Sequence, residues 1–393
     1  MQMSKVFSKA LEREIEVDRY IGKFENDPNS PTVIMFGGIH GNEPSGVFAL
    51  DVVCNHIRSE HLDLKGNFYA LAGNLCALPE GERFCDVDLN RIWNGKSISD
   101  LEKNTASLNG QARKEDRQML ELLNEIKYIL NRNKGEFYFI DLHTTSSQSC
   151  PFIPINDTMA NRRFARKFPV PTVLGIEEFL DGPLLSYINE IDHIALGFEG
   201  GQHDEKSAIH NHIAFIGLAL LYSNCISKNE IPDYKTYLQN LKEAGRKERG
   251  IYEIVKRFEV LDNNSFDMNP GFESFDMIKK NQHLANYKNQ KVKAEKDGKI
   301  FMPLYQKQGE DGFFVIREIP AIWLKLSSLL RKIKFEALLV LLPGISRDSD
   351  NSKTIVVNRN IAKYLSNELF HLLGFRRKTG SGDFYRFTRR EQI

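Results

Sequence analysis

Long apolar runs are missing from this chain. Its most hydrophobic stretches, residues 213–222 and 337–342, fall well short of the roughly 20 residues that a membrane-spanning helix requires. The first twenty residues, MQMSKVFSKALEREIEVDRY, are studded with charge and contain no apolar core of a secretory signal. An excess of charge of either sign is missing too. Lys and Arg number 53 against 52 Asp and Glu, a net charge of +1, so no global field draws the chain to nucleic acid or to an anionic membrane. Five cysteines, Cys54, Cys76, Cys85, Cys150 and Cys225, are scattered and never form C-x-x-C. That pattern argues against a disulfide framework and against a thiolate zinc site, and Cys85 reads as a small packing residue. There are no internal repeats or low-complexity tracts. These absences lead to the expectation of a soluble, cytoplasmic protein that acts on a small molecule.

What is present suits a globular protein of several units. The 393 residues are 41% hydrophobic and 27% charged, enough to bury a core but long for one domain. Up to about residue 230, short β-rich runs (32–36, 67–71, 137–141, 172–174 and 194–198) alternate with helical patterns (44–57, 111–131 and 209–225). This alternation predicts an α/β unit with a mixed or parallel central sheet flanked by helices. A charged connector over 228–250 leads into short strands broken by Asn-Pro-Gly and Asp-Gly turns up to about 316, a smaller β-rich unit. Beyond Pro320 the pattern gives a helix to about 334, a strand-like ALLVLL (337–342), a helix over 360–373 and a last strand over 384–387. The expected division is therefore 1–230, 231–317 and a C-terminal α/β appendage, 318–393.

The sharpest local feature is Gly37-Gly38-Ile39-His40-Gly41-Asn42-Glu43, where a strand ends and a helix is about to begin. In open α/β sheets ligands bind at such an edge. His40-x-x-Glu43 lets an imidazole and a carboxylate converge on one cation from a tight loop, although ten histidines among 52 acidic residues produce about one such pair by chance. A second strand, Phe137-Tyr138-Phe139-Ile140-Asp141, delivers His143 to the same edge. Two imidazoles and one carboxylate, with a further position open to water, form the donor set of a catalytic zinc site. Between these motifs lies Arg83-Phe84-Cys85-Asp86-Val87-Asp88-Leu89-Asn90-Arg91, whose arginines suit a substrate carboxylate or a developing oxyanion. Glu199, in Gly197-Phe198-Glu199-Gly200-Gly201, is a candidate general base and acid beside a bound water, with Glu177, Glu178 and Glu205 as rivals. His203, His210 and His212 read as surface positions near a helix start.

In this order, GGIHGNE, RFCDVDLNR, DLHTT and GFEGG closely resemble the succinylglutamate desuccinylase/aspartoacylase family, which has a zinc carboxypeptidase-like fold. The likeness extends over residues 30–230 and more loosely to about 316. It implies one zinc ion held by His40, Glu43 and His143, with Glu199 as general base and acid and Arg83 polarising the scissile carbonyl. It also implies that Asn90 and Arg91 clamp a substrate carboxylate, that Asp88 orients His40, and that Tyr305 reaches over the site from the β-rich unit. The implied activity is deacylation of a small N-acyl amino acid-like substrate at an amide or ester bond. The alternatives are a peptide-cleaving zinc carboxypeptidase and a non-catalytic metal- or ligand-binding module. Asn189 stands where aspartoacylase proper has an arginine for the substrate side chain. The appendage has no counterpart in the resemblance, and its two candidate roles are cover for the site and a homo-oligomer interface.

Overall fold

The computed structural model describes residues 3–103, 112–231, 233–333, 339–349, 354–358, 360–361, 373–381 and 383–389. At its centre is a five-stranded sheet in the order Tyr20–Phe24, Asn67–Ala72, Thr32–Gly37, Phe137–Thr145 and Ile194–Gln202. The first pair is antiparallel and the other three are parallel. The strands Thr32–Gly37, Asn67–Ala72 and Phe137–Thr145 are buried along their whole length, as expected for strands covered on both faces. Val33, Met35, Ile140, Leu142, Leu196 and Phe198 point to one face, where helices Ser45–Ser59 and Lys206–Tyr222 pack. Ile34, Phe36, Phe139 and Ala195 point to the other, toward helix Lys114–Arg132. That helix presents Met119, Leu122, Leu123, Ile126 and Ile129 as one buried stripe, the i, i+3, i+4, i+7 spacing of an amphipathic helix.

This strand order places the site. From Thr32–Gly37 the chain passes through a helix to the neighbour on one side, Asn67–Ala72, and later returns to the neighbour on the other side, Phe137–Thr145. The direction of winding reverses at the carboxyl end of Thr32–Gly37, which opens the crevice in which doubly wound sheets hold ligands.

A second, six-stranded sheet runs in the order Met277–Ile278, Gly298–Phe301, Asp311–Glu318, Ile251–Glu259, Thr172–Leu174 and Ile153–Ile155. Residues 172–174, expected in the central sheet, thus belong here, paired in parallel with Ile251–Glu259. Periodicity identifies a strand but not its partner. A bridge between Phe152 and Glu199, with backbone bonds of 3.1 and 3.0 Å, ties this sheet to the central one. Three short strands, Phe266–Met268, His283–Tyr287 and Gln290–Lys293, form a smaller sheet alongside.

Toward the C-terminus, strands Ile345–Arg347, Thr354–Asn358, Phe384–Arg389 and Phe375–Ser381 form a four-stranded sheet. The described part of ALLVLL, 339–342, is a helical turn rather than a strand, with Leu342 N bonded to Leu339 O at 3.0 Å. The two glycine- and proline-bearing positions that follow, Pro343 and Gly344 (φ +81°), turn the chain at once and leave no length for an extended run. The helix expected over 360–373 falls almost wholly outside the described residues. Helix Ala321–Lys332 is tied to the segment around Asp157 through Arg331, whose guanidinium donates to Asp157 O at 2.9 Å and Oδ2 at 2.8 Å. Arg162 also grips Asp157, and all three side chains are buried. Arg331→Ala leaves Asp157 paired with Arg162, so the loss resembles that of charge-assisted hydrogen bonds rather than of a stranded ion. Urea denaturation is expected to register a destabilisation of about 1.5–3 kcal/mol, and a change within experimental error would remove this contact as the anchor.

Among the described residues no helix is long and apolar enough to cross a membrane.

Candidate active site

The loop after Thr32–Gly37 has to reverse direction within a few residues before helix Ser45–Ser59. Gly38 takes φ +72°, a conformation that L side chains rarely adopt. Gly41 lies so close to the turn 74–78 that a Cβ would sit 2.3 Å from Ala77 C. The loop is thereby pressed into the crevice, and it brings His40 and Glu43 inside, 4% and 3% exposed.

His143 arrives from the adjacent strand. Side chains two apart on a strand share a face, so Asp141 and His143 stand together, with His143 Nε2 2.6 Å from Asp141 Oδ2. Parallel register sets Glu199 directly beside His143 on the next strand. Glu43 joins the two motifs: its Oε1 lies 2.9 Å from His40 Nδ1 and its Oε2 3.0 Å from His143 Nδ1. Oε2 also accepts from Thr144 N at 2.9 Å. Ligand atoms of His40, Glu43 and His143 lie within 4.8 Å of one another. Each histidine turns Nδ1 inward to Glu43 and Nε2 outward to a carboxylate, Asp88 for His40 (3.1 Å) and Asp141 for His143. An outer carboxylate of this kind fixes the tautomer of a ligating imidazole.

The segment 83–91 adds charge. Asp88 takes two bonds from Arg83, 3.0 and 2.8 Å, while Arg83 Nη1 stands 3.6 Å from Glu43 Oε1. Asn90 Nδ2 is 3.5 Å from His143 Nε2, and Asn90 Oδ1 accepts from Leu184 N at 2.9 Å. Arg91 is held by Asp311 of the second sheet at 2.7 Å, and Asp311 also binds Arg257 at 2.6 Å. The segment is itself anchored by buried Glu115 near the start of helix Lys114–Arg132, which accepts from the backbone N–H of Cys85, Asp86 and Val87 at 2.7, 3.0 and 3.2 Å. Sequence reading missed Glu115, because an acid in the first turn of a helix carries no mark of a partner some 30 residues upstream.

The electrostatics follow from this crowding. Burial opposes ionisation of Glu43, but the imidazoles of His40 and His143 outweigh it and hold the carboxyl well below the usual range. Asp88 is likewise buried yet held low by Arg83, His40 and Arg91. Burial acts to lower His143, but Asp141 and Glu43 raise it well above an ordinary histidine. Glu199 differs: burial pushes it up to about 8, with Glu43 and Asp141 adding to the effect against His143 and Arg83. Its Oε2 has no hydrogen-bond partner among the described residues, and buried acceptors in native proteins are seldom left so. Ligand atoms of two buried imidazoles and one buried carboxylate converge here, a donor set that fits a divalent cation such as zinc.

The other sequence candidates lie elsewhere. Tyr305 is 40% exposed, and its hydroxyl bonds to the 269–272 turn, donating to Asn269 O at 2.9 Å. Next to it, Gln306 reaches the rim of the site, accepting from Asn42 Nδ2 at 2.8 Å and meeting His203 Nε2 at 3.1 Å. Gln308 accepts from Arg83 N at 2.9 Å. Asn189 is buried away from the ligands, accepting from Asn161 Nδ2 and donating to His193 O. Of the three histidines expected at the surface, only His210 is exposed. His212 is fully buried and 2.9 Å from Ser45 Oγ, and His203 is 2.8 Å from Thr144 Oγ1. Helix Lys206–Tyr222 packs against the sheet and carries His212 inward, whereas His203 follows strand Ile194–Gln202, with its N–H donating to Thr145 O at 3.0 Å.

Residues 29–212 match the family model for the succinylglutamate desuccinylase/aspartoacylase catalytic domain. Succinylglutamate desuccinylase of Yersinia enterocolitica is 30% identical over 112 residues, 28% of each chain. Its counterpart in Pseudomonas fluorescens is 35% identical over 68 residues, 17% of this chain and 20% of the relative. These matches therefore span between 20% and 28% of the relatives' length. Among solved structures, a succinylglutamate desuccinylase/aspartoacylase from Rhodobacter sphaeroides superposes with TM-score 0.54 at 14% identity, over 81% of this chain and 95% of that one. The succinylglutamate desuccinylase of Chromobacterium violaceum gives 0.53 at 15% identity, over 75% and 86%. The mixed α/β fold is the same. Residues 29–212, which carry the four motifs, are thus similar in sequence to the catalytic domain of the succinylglutamate desuccinylase/aspartoacylase family.

Proposed function

We propose that this protein is a zinc-dependent deacylase that hydrolyses the amide or ester bond of a small, carboxylate-bearing N-acyl amino acid-like substrate. The observation that carries this reading is the convergence of His40, Glu43 and His143 within 4.8 Å, with Glu199 in register beside His143. A zinc ion held by these three side chains would supply Lewis acidity, lowering the pKa of water toward neutrality and drawing charge from the scissile carbonyl.

The chain's own residues do the rest. Glu199 takes a proton from the attacking water and delivers it to the departing amine, and its burial among apolar strands favours a carboxyl able to do both near neutral pH. Arg83, fixed on Asp88 by two hydrogen bonds, is aimed as a rigid cation at the oxygen on which charge develops. Asp88 and Asp141 orient the imidazoles from behind. Arg91 and Asn90 take the substrate carboxylate. Arg91 meets it from its present partner Asp311, which Arg257 also neutralises, so two guanidinium groups surround that single acid. Asn189 is committed to the backbone and to Asn161, so N-acetylaspartate is not the favoured substrate. The units 1–230, 231–317 and 318–393 are proposed to divide the labour, with the first carrying chemistry and the second the rim of the pocket.

The test joins metal analysis with a substrate panel. Purified protein is expected to carry one zinc per chain and to release free amine from N-acyl amino acids, with activity lost on chelation and restored by zinc. Arg91→Ala is expected to raise KM for carboxylate substrates more than it lowers kcat. Cleavage of dipeptides but not of acyl amino acids would replace the reading with a carboxypeptidase, and tight metal binding without turnover on either would leave a binding module.

A further inference from the structure

Cys76 and Cys85 have no part in the chemistry above, yet they come together at its border. Cys76 lies in the turn 74–78 that wraps Gly41, and Cys85 lies two residues after Arg83. Their sulfurs and a Glu115 oxygen all fall within 4.8 Å of one another, with Cys76 Sγ 3.8 Å from Glu115 Oε1. Both are half-buried, open enough for a small reagent, whereas Cys54 and Cys225 are buried. A metal is a poor occupant here. Glu115 already accepts from Cys85 N, Asp86 N, Val87 N and Asn74 Nδ2, so its lone pairs are engaged, and two thiols alone do not complete a tetrahedral site.

We propose that Cys76 and Cys85 are an oxidant-sensitive dithiol that closes to a reversible disulfide with a small-molecule disulfide as oxidant. One protein thiolate attacks a sulfur of the external disulfide, releasing one small thiol and leaving a mixed disulfide. The second protein thiol gives up its proton to solvent, attacks the protein-bound sulfur and releases the other small thiol. Two cysteines are oxidised and one external disulfide is reduced to two thiols. Closure withdraws Cys76 from its 2.9 Å bond to Asn74 Oδ1 and ties the turn against Gly41 to the beginning of the Arg83–Arg91 segment. The bond therefore joins the two backbone pieces that position Glu43 and Arg83.

The experiment reads covalent bonds, so it stands apart from whatever substrate the site takes. The full chain is incubated with oxidised glutathione, alkylated, digested and analysed by mass spectrometry. Of five cysteines, five alkylatable thiols are expected to fall to three, with one crosslinked peptide pair containing Cys76 and Cys85, and dithiothreitol is expected to restore all five. Cys85→Ser is expected to yield no crosslink at Cys76; Cys76→Ser gives the reciprocal control should the first variant not fold. Five thiols persisting in the wild-type chain, or a crosslink between any other pair, overturns the proposal.

Discussion

Glu199→Gln is expected to lower kcat on an N-acyl amino acid by about 10²–10⁴-fold, the contribution of a positioned general acid and base, while zinc content stays at the wild-type level. Glutamine keeps the shape and the burial but can neither take nor return a proton. Residual turnover within tenfold of wild type would move the base to another residue. The same substitution has a second signature in protein stripped of metal. There the buried carboxyl holds its proton to about pH 8, against 4.5 for an ordinary glutamic acid. Because the folded state binds the proton more tightly than the unfolded one, the stability linked to this group is complete below about pH 4.5 and is lost as pH rises through 8. Glutamine is neutral throughout, so the stripped variant is expected to show a flatter fall of melting temperature between pH 5 and 8, as thermal denaturation across a pH series would record. Parallel curves for the two proteins would mean that Glu199 is already ionised at the lower end of that range.

Glu43→Ala is expected to abolish metal retention. This carboxylate faces Nδ1 of both histidines and also accepts from Thr144 N, so its loss removes one donor and leaves the other two without a common partner. Dialysed wild-type protein is expected to keep about one equivalent of zinc and the variant close to none, with turnover falling to background. Atomic absorption on both proteins decides the matter, and a variant that still holds the metal stoichiometrically would place the ion elsewhere.

Much of this site was legible because its residues sit in short motifs at predictable places. A strand that ends in glycines and hands a histidine to a loop points to a sheet edge, and four such motifs in order narrow the choice of family. What pairs across long separations was not legible. His40 and His143 could be placed on one edge, but that both turn Nδ1 toward Glu43, with Asp88 and Asp141 behind them, depends on rotamers that no spacing encodes. Residues 172–174 were readable as a strand and not as a member of the second sheet, since β-pairing is chosen by tertiary packing. Arg91 was legible as an anion binder, whereas its present hold on Asp311, 220 residues on, was not. The same holds for Arg331 and Asp157, 174 residues apart. His212 misled because a polar residue near a helix start is most often solvated, while here the helix lies beneath the sheet and Ser45 meets the ring.

The loop that carries Gln306 and Gln308 reaches Asn42, His203 and the backbone of Arg83 through side-chain amides, and it supplies none of the histidine or carboxylate groups at the centre. Substitutions at Gln306 and Gln308 therefore reshape the rim while leaving every histidine and carboxylate at the centre in place.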